Sequence, residues 1–240
     1  MKFSFNNKNY YISKPNLVPA FFFLLGLSIL ISLSIWQFNR LEWKTNLINE
    51  RINRFESEFK IISQINTPSD HEFQRIKILG KLLNEFEFFM PALSKNGNNG
   101  FHILTLLKEE SGKVIIFDTG WVPLNKKEKR MRNENLLFGK KKIEAIIRLP
   151  GRKGRFQPDN DEKKNFWFFV EPSKIQRITG FNVEQNFYLE AIQNGPNGFP
   201  LGNQTRIYLR NNHFQYAITW LMIAFGLVGV FFFANIREKK

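Results

Sequence analysis

Two long runs without a charge bracket this chain, and they constrain its fold more than anything between them. From Leu17 to Trp36 the sequence reads LVPAFFFLLGLSILISLSIW, and from Tyr216 to Ala234 it reads YAITWLMIAFGLVGVFFFA. As α-helices, at about 1.5 Å of rise per residue, each reaches roughly 30 Å, the thickness of a bilayer's hydrocarbon core. A helix in the core of a soluble domain rarely stays uncharged on every face for so long. A cleaved signal peptide is the other alternative for the first run. That run starts only after sixteen residues, however, and ends in Ile35-Trp36-Gln37 with no small-x-small cleavage site. The expectation is two transmembrane helices, 17–36 and 216–234, with tails 1–16 and 235–240 on one side and the segment 37–215 on the other.

Positive charge does not orient these spans. Lys2, Lys8, Lys14, Arg237, Lys239 and Lys240 flank them on the tail side, and Arg40, Lys44, Arg51, Arg54, Arg206 and Arg210 on the other. Long loops translocate largely regardless of charge, so both termini are expected in the cytoplasm and 37–215 outside it. Over the whole chain the formal net charge is +14 and the pI about 10.0, which averaged would suit a soluble basic protein. The excess is local: Lys126–Arg155 holds twelve basic and three acidic residues, and the rest of the segment between the spans is balanced. Nucleic acid is not expected as a partner outside the cytoplasm. Lipid headgroups, an acidic protein surface or haem propionates are the available anions, and a solvated loop is the plainer account.

The segment between the spans changes character along its length. Trp43, Leu47, Ile48, Ile52, Phe55, Phe59 and Ile62 recur at helical spacing, which predicts an amphipathic helix over 37–63, ended by Thr67-Pro68-Ser69-Asp70. Short β-prone runs follow at Phe73–Leu79, Leu82–Met90, Phe101–Leu107, Lys113–Val122, Ile143–Leu149, Phe166–Val170 and Phe187–Ile192, with turn signals at Asn96–Gly100 and Glu110–Gly112. Pro172–Thr179 reads as a short helix stopped by Gly180. The fold class expected is a membrane protein in which two helices flank an α+β, β-rich domain, an antiparallel sheet or small barrel over 70–193. A connector at 194–212 is expected to lie over the membrane surface.

The absence of cysteine excludes disulfides, zinc knuckles, iron–sulfur clusters, thiol nucleophiles and covalent c-type haem attachment. No metalloprotease, nucleophile-elbow or phosphate-loop pattern occurs, so an enzyme is not expected. Of three histidines, His71 sits in a turn signal, and His102 alternates with Leu104 and Leu106 as a hydrogen-bonded residue on a strand face. His213 differs by its place at the mouth of the second span, with Tyr216, Ala217 and Trp220 following on its face. It is either an interfacial anchor or an iron ligand with an aromatic wall for a flat ring. Ser28 and Ser32 in the first span, with Gly226 and Gly229 in the second, would let the helices approach closely.

Five blocks of sequence stand out together: Trp36-Gln37-Phe38-Asn39-Arg40-Leu41-Glu42-Trp43-Lys44, Gly100–Leu106, Gly120-Trp121-Val122-Pro123, Phe156–Asn160 with Asn165–Phe168, and Asn211–Trp220. In these blocks the chain resembles the surfeit-locus-one family of cytochrome c oxidase assembly factors. Two points depart from the family: Asp118-Thr119 stands where an Arg usually precedes the Gly-Trp-Val-Pro turn, and Leu106 stands in place of a Pro. The resemblance implies support for delivery or insertion of haem a into oxidase subunit I, with subunit I, other assembly factors and membrane lipid as partners. It places His213 on the family's histidine at the start of the second span, implicated in haem binding. On that basis His213 is the expected metal ligand, Tyr216 and Trp220 contact the haem a ring, and Arg40 pairs with a propionate. A bacterial cytoplasmic (inner) membrane with a periplasmic central domain is expected from the short, basic N-terminal region. A cofactor-free scaffold that holds an oxidase subunit during assembly is the competing expectation.

Overall fold

The structure, a computed structural model, describes residues 2–5 and 8–238. Lys239 and Lys240, counted above in the C-terminal tail, lie outside the described residues. The chain divides into two compact units, one of residues 1–49 with 209–240 and the other of residues 50–208.

In the first unit both apolar runs are helices, α1 over Leu17–Glu56 and α3 over His213–Ala234. Only 6% and 11% of their most apolar windows are buried, whereas a helix in a soluble core would be covered. The two helices meet directly. The Ser34 hydroxyl donates to the Ala217 carbonyl at 3.0 Å, and Phe23 stacks on Phe231 with centroids 4.0 Å apart. The small residues at the contact are not the ones expected. Ser28 bonds back to Leu24 in its own helix, Ser32 is exposed, and Gly226 and Gly229 face open space. Buried Ser34, Ala217 and Ala224 allow the approach instead. Strands β1 (Lys2–Phe5), β2 (Lys8–Ile12) and β9 (Ile236–Glu238) form an antiparallel sheet that joins the start of α1 to the end of α3.

The second unit is a closed barrel. Strands β4 (Arg75–Leu93), β5 (Asn99–Glu109), β6 (Val114–Pro123), β8 (Tyr188–Ala191) and β7 (Lys140–Arg148) pair in that order, and β7 pairs again with β4. Most pairings are antiparallel; β6 with β8, and the short β3 (Lys60–Ile61) with β4, are parallel. The two runs expected at 73–79 and 82–90 are one strand, bent by a bulge between Leu83 and Phe88. The Thr105 hydroxyl holds that bulge through the Leu83 and Phe86 carbonyls. Alternation along the strands sends Ile78, Leu107, Ile115, Phe117, Ile147 and Leu189 into one core. The opposite face packs Leu104, Leu106 and Ile116 under Trp167 and under Ile175 of α2 (Pro172–Thr179), which ends at left-handed Gly180.

Four expectations change. The amphipathic helix stops at Glu56 rather than Ser63, because side chains from β4 and the residue before it take over the carbonyls beyond it. Arg75 donates to Glu56 O and Ser57 O and Gln74 to Glu58 O, while Ile62 turns into the barrel core. Phe166–Val170 is no strand but a bridged segment whose Trp167 is fully buried. The basic stretch 126–155 is not one exposed loop: Arg132 and Asn135 are buried in it before β7 begins. The segment 194–212 does not lie apart as a connector. Trp121 and Leu201 exchange backbone hydrogen bonds, and Thr205 and Ile207 are buried. Gly120, at φ 117°, permits that seam, since a Cβ there would meet the Leu201 carbonyl oxygen at 2.2 Å.

Candidate functional site

His213 is the first residue of α3, behind Asn212 at the N-cap. Its Nδ1 lies 2.7 Å from Oε1 of Gln37, which is itself buried on α1. With a carbonyl oxygen as partner Nδ1 must donate, so the neutral imidazole keeps its lone pair on Nε2. Among the described residues nothing hydrogen-bonds that nitrogen. Orientation of one ring nitrogen by a fixed acceptor is how proteins prepare the other as a ligand. Asn211, just before, donates to Thr45 Oγ1 at 3.2 Å and to Leu41 O at 3.4 Å, so the start of α3 is tied to α1 over two turns.

The other expected residues arrange themselves around this pair. Trp220, two turns on, shares the His213 face and is half-buried. Tyr216 is 55% exposed at the flank. Phe38 and Phe214 meet edge to face at 6.4 Å on one side of the helix pair, and helical phase puts Arg40 and Tyr216 on the opposite side. Arg40 makes no ion pair among the described residues; its guanidinium lies 4.3 Å from the centre of the Trp43 ring. The seam between the helices is filled by the Ser34–Ala217 and Gln37–His213 contacts, and exposed aromatic rings stand on both sides of it, Tyr216 on one and Phe38 with Phe214 on the other. Gln37 is the residue that sequence reasoning passed over. Its signal was a hydrogen-bonding side chain immediately after an apolar span.

The barrel carries a second polar centre. His102 on β5 bonds through Nδ1 to Oδ2 of Asp118 on β6 at 2.6 Å, and Asp118 also accepts from Gly120 N at 2.9 Å. Glu190 on β8 stands beside Asp118 in register and accepts from Thr205 N at 2.7 Å, from the Thr205 hydroxyl, and from Arg148 at 3.1 Å. Burial alone would lower the His102 pKa, but the Asp118 charge and hydrogen bond outweigh it and hold the imidazole above its ordinary value. Burial, then the neighbouring Asp118, holds the Glu190 carboxyl up. Burial likewise raises the Tyr188 phenol. His102 is thus hydrogen-bonded on a strand face as expected, and its partner is the Asp118 that departs from the resembled family. No group of three or more His, Asp or Glu arranged to hold a metal ion occurs among the described residues.

Comparison with known proteins is consistent along the chain. The model described as the SURF1 family matches residues 24–225. "Surfeit locus protein 1" of Takifugu rubripes is 26% identical over 242 residues, covering 93% of this chain and 96% of its own length. "Surfeit locus protein 1" of Homo sapiens is 28% identical over 210 residues, 78% of this chain and 68% of its own. A "SURF1-like protein" of Caenorhabditis briggsae is 27% identical over 245 residues, 92% and 77% respectively.

Proposed function

Because the chain belongs to the SURF1 family, we propose that it is a membrane-anchored assembly factor for haem-copper (cytochrome c) oxidase that supports delivery or insertion of haem a into subunit I. The observation that carries the haem part is the contact of His213 with Gln37, which leaves the lone pair on Nε2 free beside exposed aromatic rings. In this reading His213 would supply a nitrogen ligand to the iron, and Tyr216 and Trp220 would offer ring contacts. Arg40 leaves Trp43 to pair with a propionate. Haem a is cargo, bringing an iron that accepts the imidazole lone pair and two carboxylates for cationic partners. The chain's part is to orient, hold and release, not to catalyse. Both termini are cytoplasmic and the barrel periplasmic, in a bacterial inner membrane, where it meets subunit I, other assembly factors and lipid.

The second reading is a cofactor-free scaffold that holds an oxidase subunit during assembly. The stacking of Arg40 on Trp43 favours it, since it occupies a group the haem reading needs. One spectrum separates the two. Full-length protein purified from cells that make haem a is expected to show a Soret band that His213→Ala removes. Haem kept at wild-type occupancy in that variant sinks the ligand assignment, and a haem-free wild type supports the scaffold.

A further inference from the structure

One end of the barrel holds a cavity of about 350 Å³. That is roughly the liquid volume of a dozen water molecules, room for a ligand of roughly a dozen non-hydrogen atoms. Its floor is apolar, built by Leu82, Ile103, Phe117, Ile143 and Ala191 from five barrel strands. The segments 132–137 and 193–200 line the rest and are tied to each other by Asn135, which donates to Pro196 O at 2.7 Å and to Phe199 O at 2.9 Å. A concave, largely apolar space with a few placed polar groups is the ordinary form of a small-molecule site.

The placed group here is a guanidinium. Arg132 lines the cavity and is 1% exposed. Its Nε donates to Lys126 O, and its Nη2 to the Glu87 carboxylate at 2.5 Å and to Lys127 O. Nη1 donates to no group among the described residues. Nor is it sealed off: the side-chain nitrogens and oxygens that lack both a partner and accessible surface are, among the described residues, Arg75 Nε, Asn135 Oδ1 and Asn211 Oδ1. The little surface that Arg132 keeps therefore includes Nη1, and the space this residue lines is the cavity. A donor shielded from bulk water and left unpaired carries a desolvation cost that an acceptor in the cavity would relieve.

Charge decides between a neutral acceptor and an anion. Around the cavity stand Arg132, Lys141 and Lys142 against Glu87 and Glu144, three cations to two carboxylates. Glu87 is engaged by Arg132, and Glu144 accepts from Gln193 at 2.9 Å and faces Lys77 at 3.7 Å. Lys141 alternates along β7 with Ile143, Ala145 and Ile147, whose side chains form the barrel core, so strand periodicity turns it to the cavity side at the rim. A neutral acceptor satisfies Nη1 and leaves the excess positive charge; a monoanion answers both.

We propose that the barrel cavity binds a small apolar carboxylic acid as its anion, with the hydrocarbon body on the Leu82–Phe117–Ile143 floor, the carboxylate on Arg132 Nη1, and Lys141 offsetting its charge at the rim. The site lies wholly within residues 82–200 and is independent of His213.

Equilibrium dialysis of 2-naphthoate against full-length protein in detergent tests this, with protein-free detergent as the blank and 2-naphthamide as the neutral probe of the same shape. The expected result is saturable uptake of one 2-naphthoate per wild-type chain, with 2-naphthamide bound about tenfold more weakly. Lys141→Gln is expected to weaken naphthoate about threefold and to leave naphthamide unchanged. Lys163→Gln, which removes the same charge from an exposed position outside the cavity, is expected to change neither. Arg132→Met with Glu87→Leu removes the guanidinium without stranding a carboxylate, and is expected to abolish the preference for naphthoate. The probe comparison on wild type, Lys141→Gln and Lys163→Gln stands even if the double variant fails to fold. No saturable uptake, naphthamide bound as tightly as naphthoate, equal effects of the two lysine variants, or a preference that survives in the folded double variant overturns the proposal.

Discussion

Nδ1 of His213 lies 2.7 Å from Oε1 of Gln37, although the two residues are 176 positions apart in sequence. The contact joins the start of one apolar helix to the end of the other's apolar run, and it turns a residue of uncertain role into an oriented imidazole. Its consequences can be tested separately from those of the histidine itself.

Replacing Gln37 by Leu keeps the apolar seam and removes the acceptor. If the imidazole is a haem ligand held by this partner, Gln37→Leu is expected to lower haem occupancy by about 10- to 100-fold, the usual range for losing an outer partner of a ligating histidine. Gln37→Glu restores the acceptor and is expected to recover most of it. Soret absorbance per chain in full-length protein is the measurement, and equal occupancy in wild type and Gln37→Leu counts against the orienting role.

The His102–Asp118 pair predicts a direction for stability against pH. The imidazole is held above its unfolded value of 6.5, so the pair's contribution is complete below that pH and is lost as pH rises through the higher folded value. Glu190, also raised, acts in the same sense, from its unfolded value of 4.5 upward. Thermal unfolding in detergent is expected to show the wild type losing stability above pH 6.5, and Asp118→Asn losing about 2 kcal/mol at low pH together with most of that dependence. A wild type that gains stability over Asp118→Asn with rising pH contradicts the assignment.

Arg132 and Glu87 are 1% and 10% exposed at their side chains. Removing one partner strands the other, so Arg132→Met is expected to cost about 3–5 kcal/mol, while Arg132→Met with Glu87→Leu recovers a large part of it. Denaturant unfolding of the single and double variants reads the coupling, and additive losses would show that the pair acts as two independent groups.

Lys81 stands directly across from Lys108 on β5 and from Lys140 on β7. Lys140 has Glu110 at 3.1 Å, but Lys81 has no carboxylate partner among the described residues. Like charges opposite one another weaken a sheet, so Lys81→Glu is expected to raise stability by about 0.5–1 kcal/mol, with the gain shrinking at high salt. An oxidase-assembly assay on the same variant shows whether these lysines serve a partner instead of the fold.

The elements most legible in the sequence were those written in a continuous stretch. Pro172–Thr179 with its Gly180 stop has the predicted bounds because proline at the start and glycine at the end act locally. The strand predicted at Phe101–Leu107 runs slightly beyond both ends, as Asn99–Glu109, and the one predicted at Lys113–Val122 is shifted slightly, to Val114–Pro123. The helix end at Glu56 was not legible, since periodicity carries on through Phe59 and Ile62. What stops the helix there is Gln74 and Arg75 reaching back from the barrel.

Sequence alone determined that the chain has two helices long and apolar enough to span a bilayer and a β-rich segment between them. It also excluded every chemistry that needs cysteine. These are properties of composition and run length, which need no partner to express them. Tertiary structure decided that the sheet closes on itself through β4 and β7, that Asp118 and Glu190 gather beside His102, that Arg132 and Asn135 are buried, and that Gln37 faces His213. Each of those depends on the register between segments distant in sequence. A shift of one residue turns a strand's side chains to the other face, so the site exists only once the pairing is set.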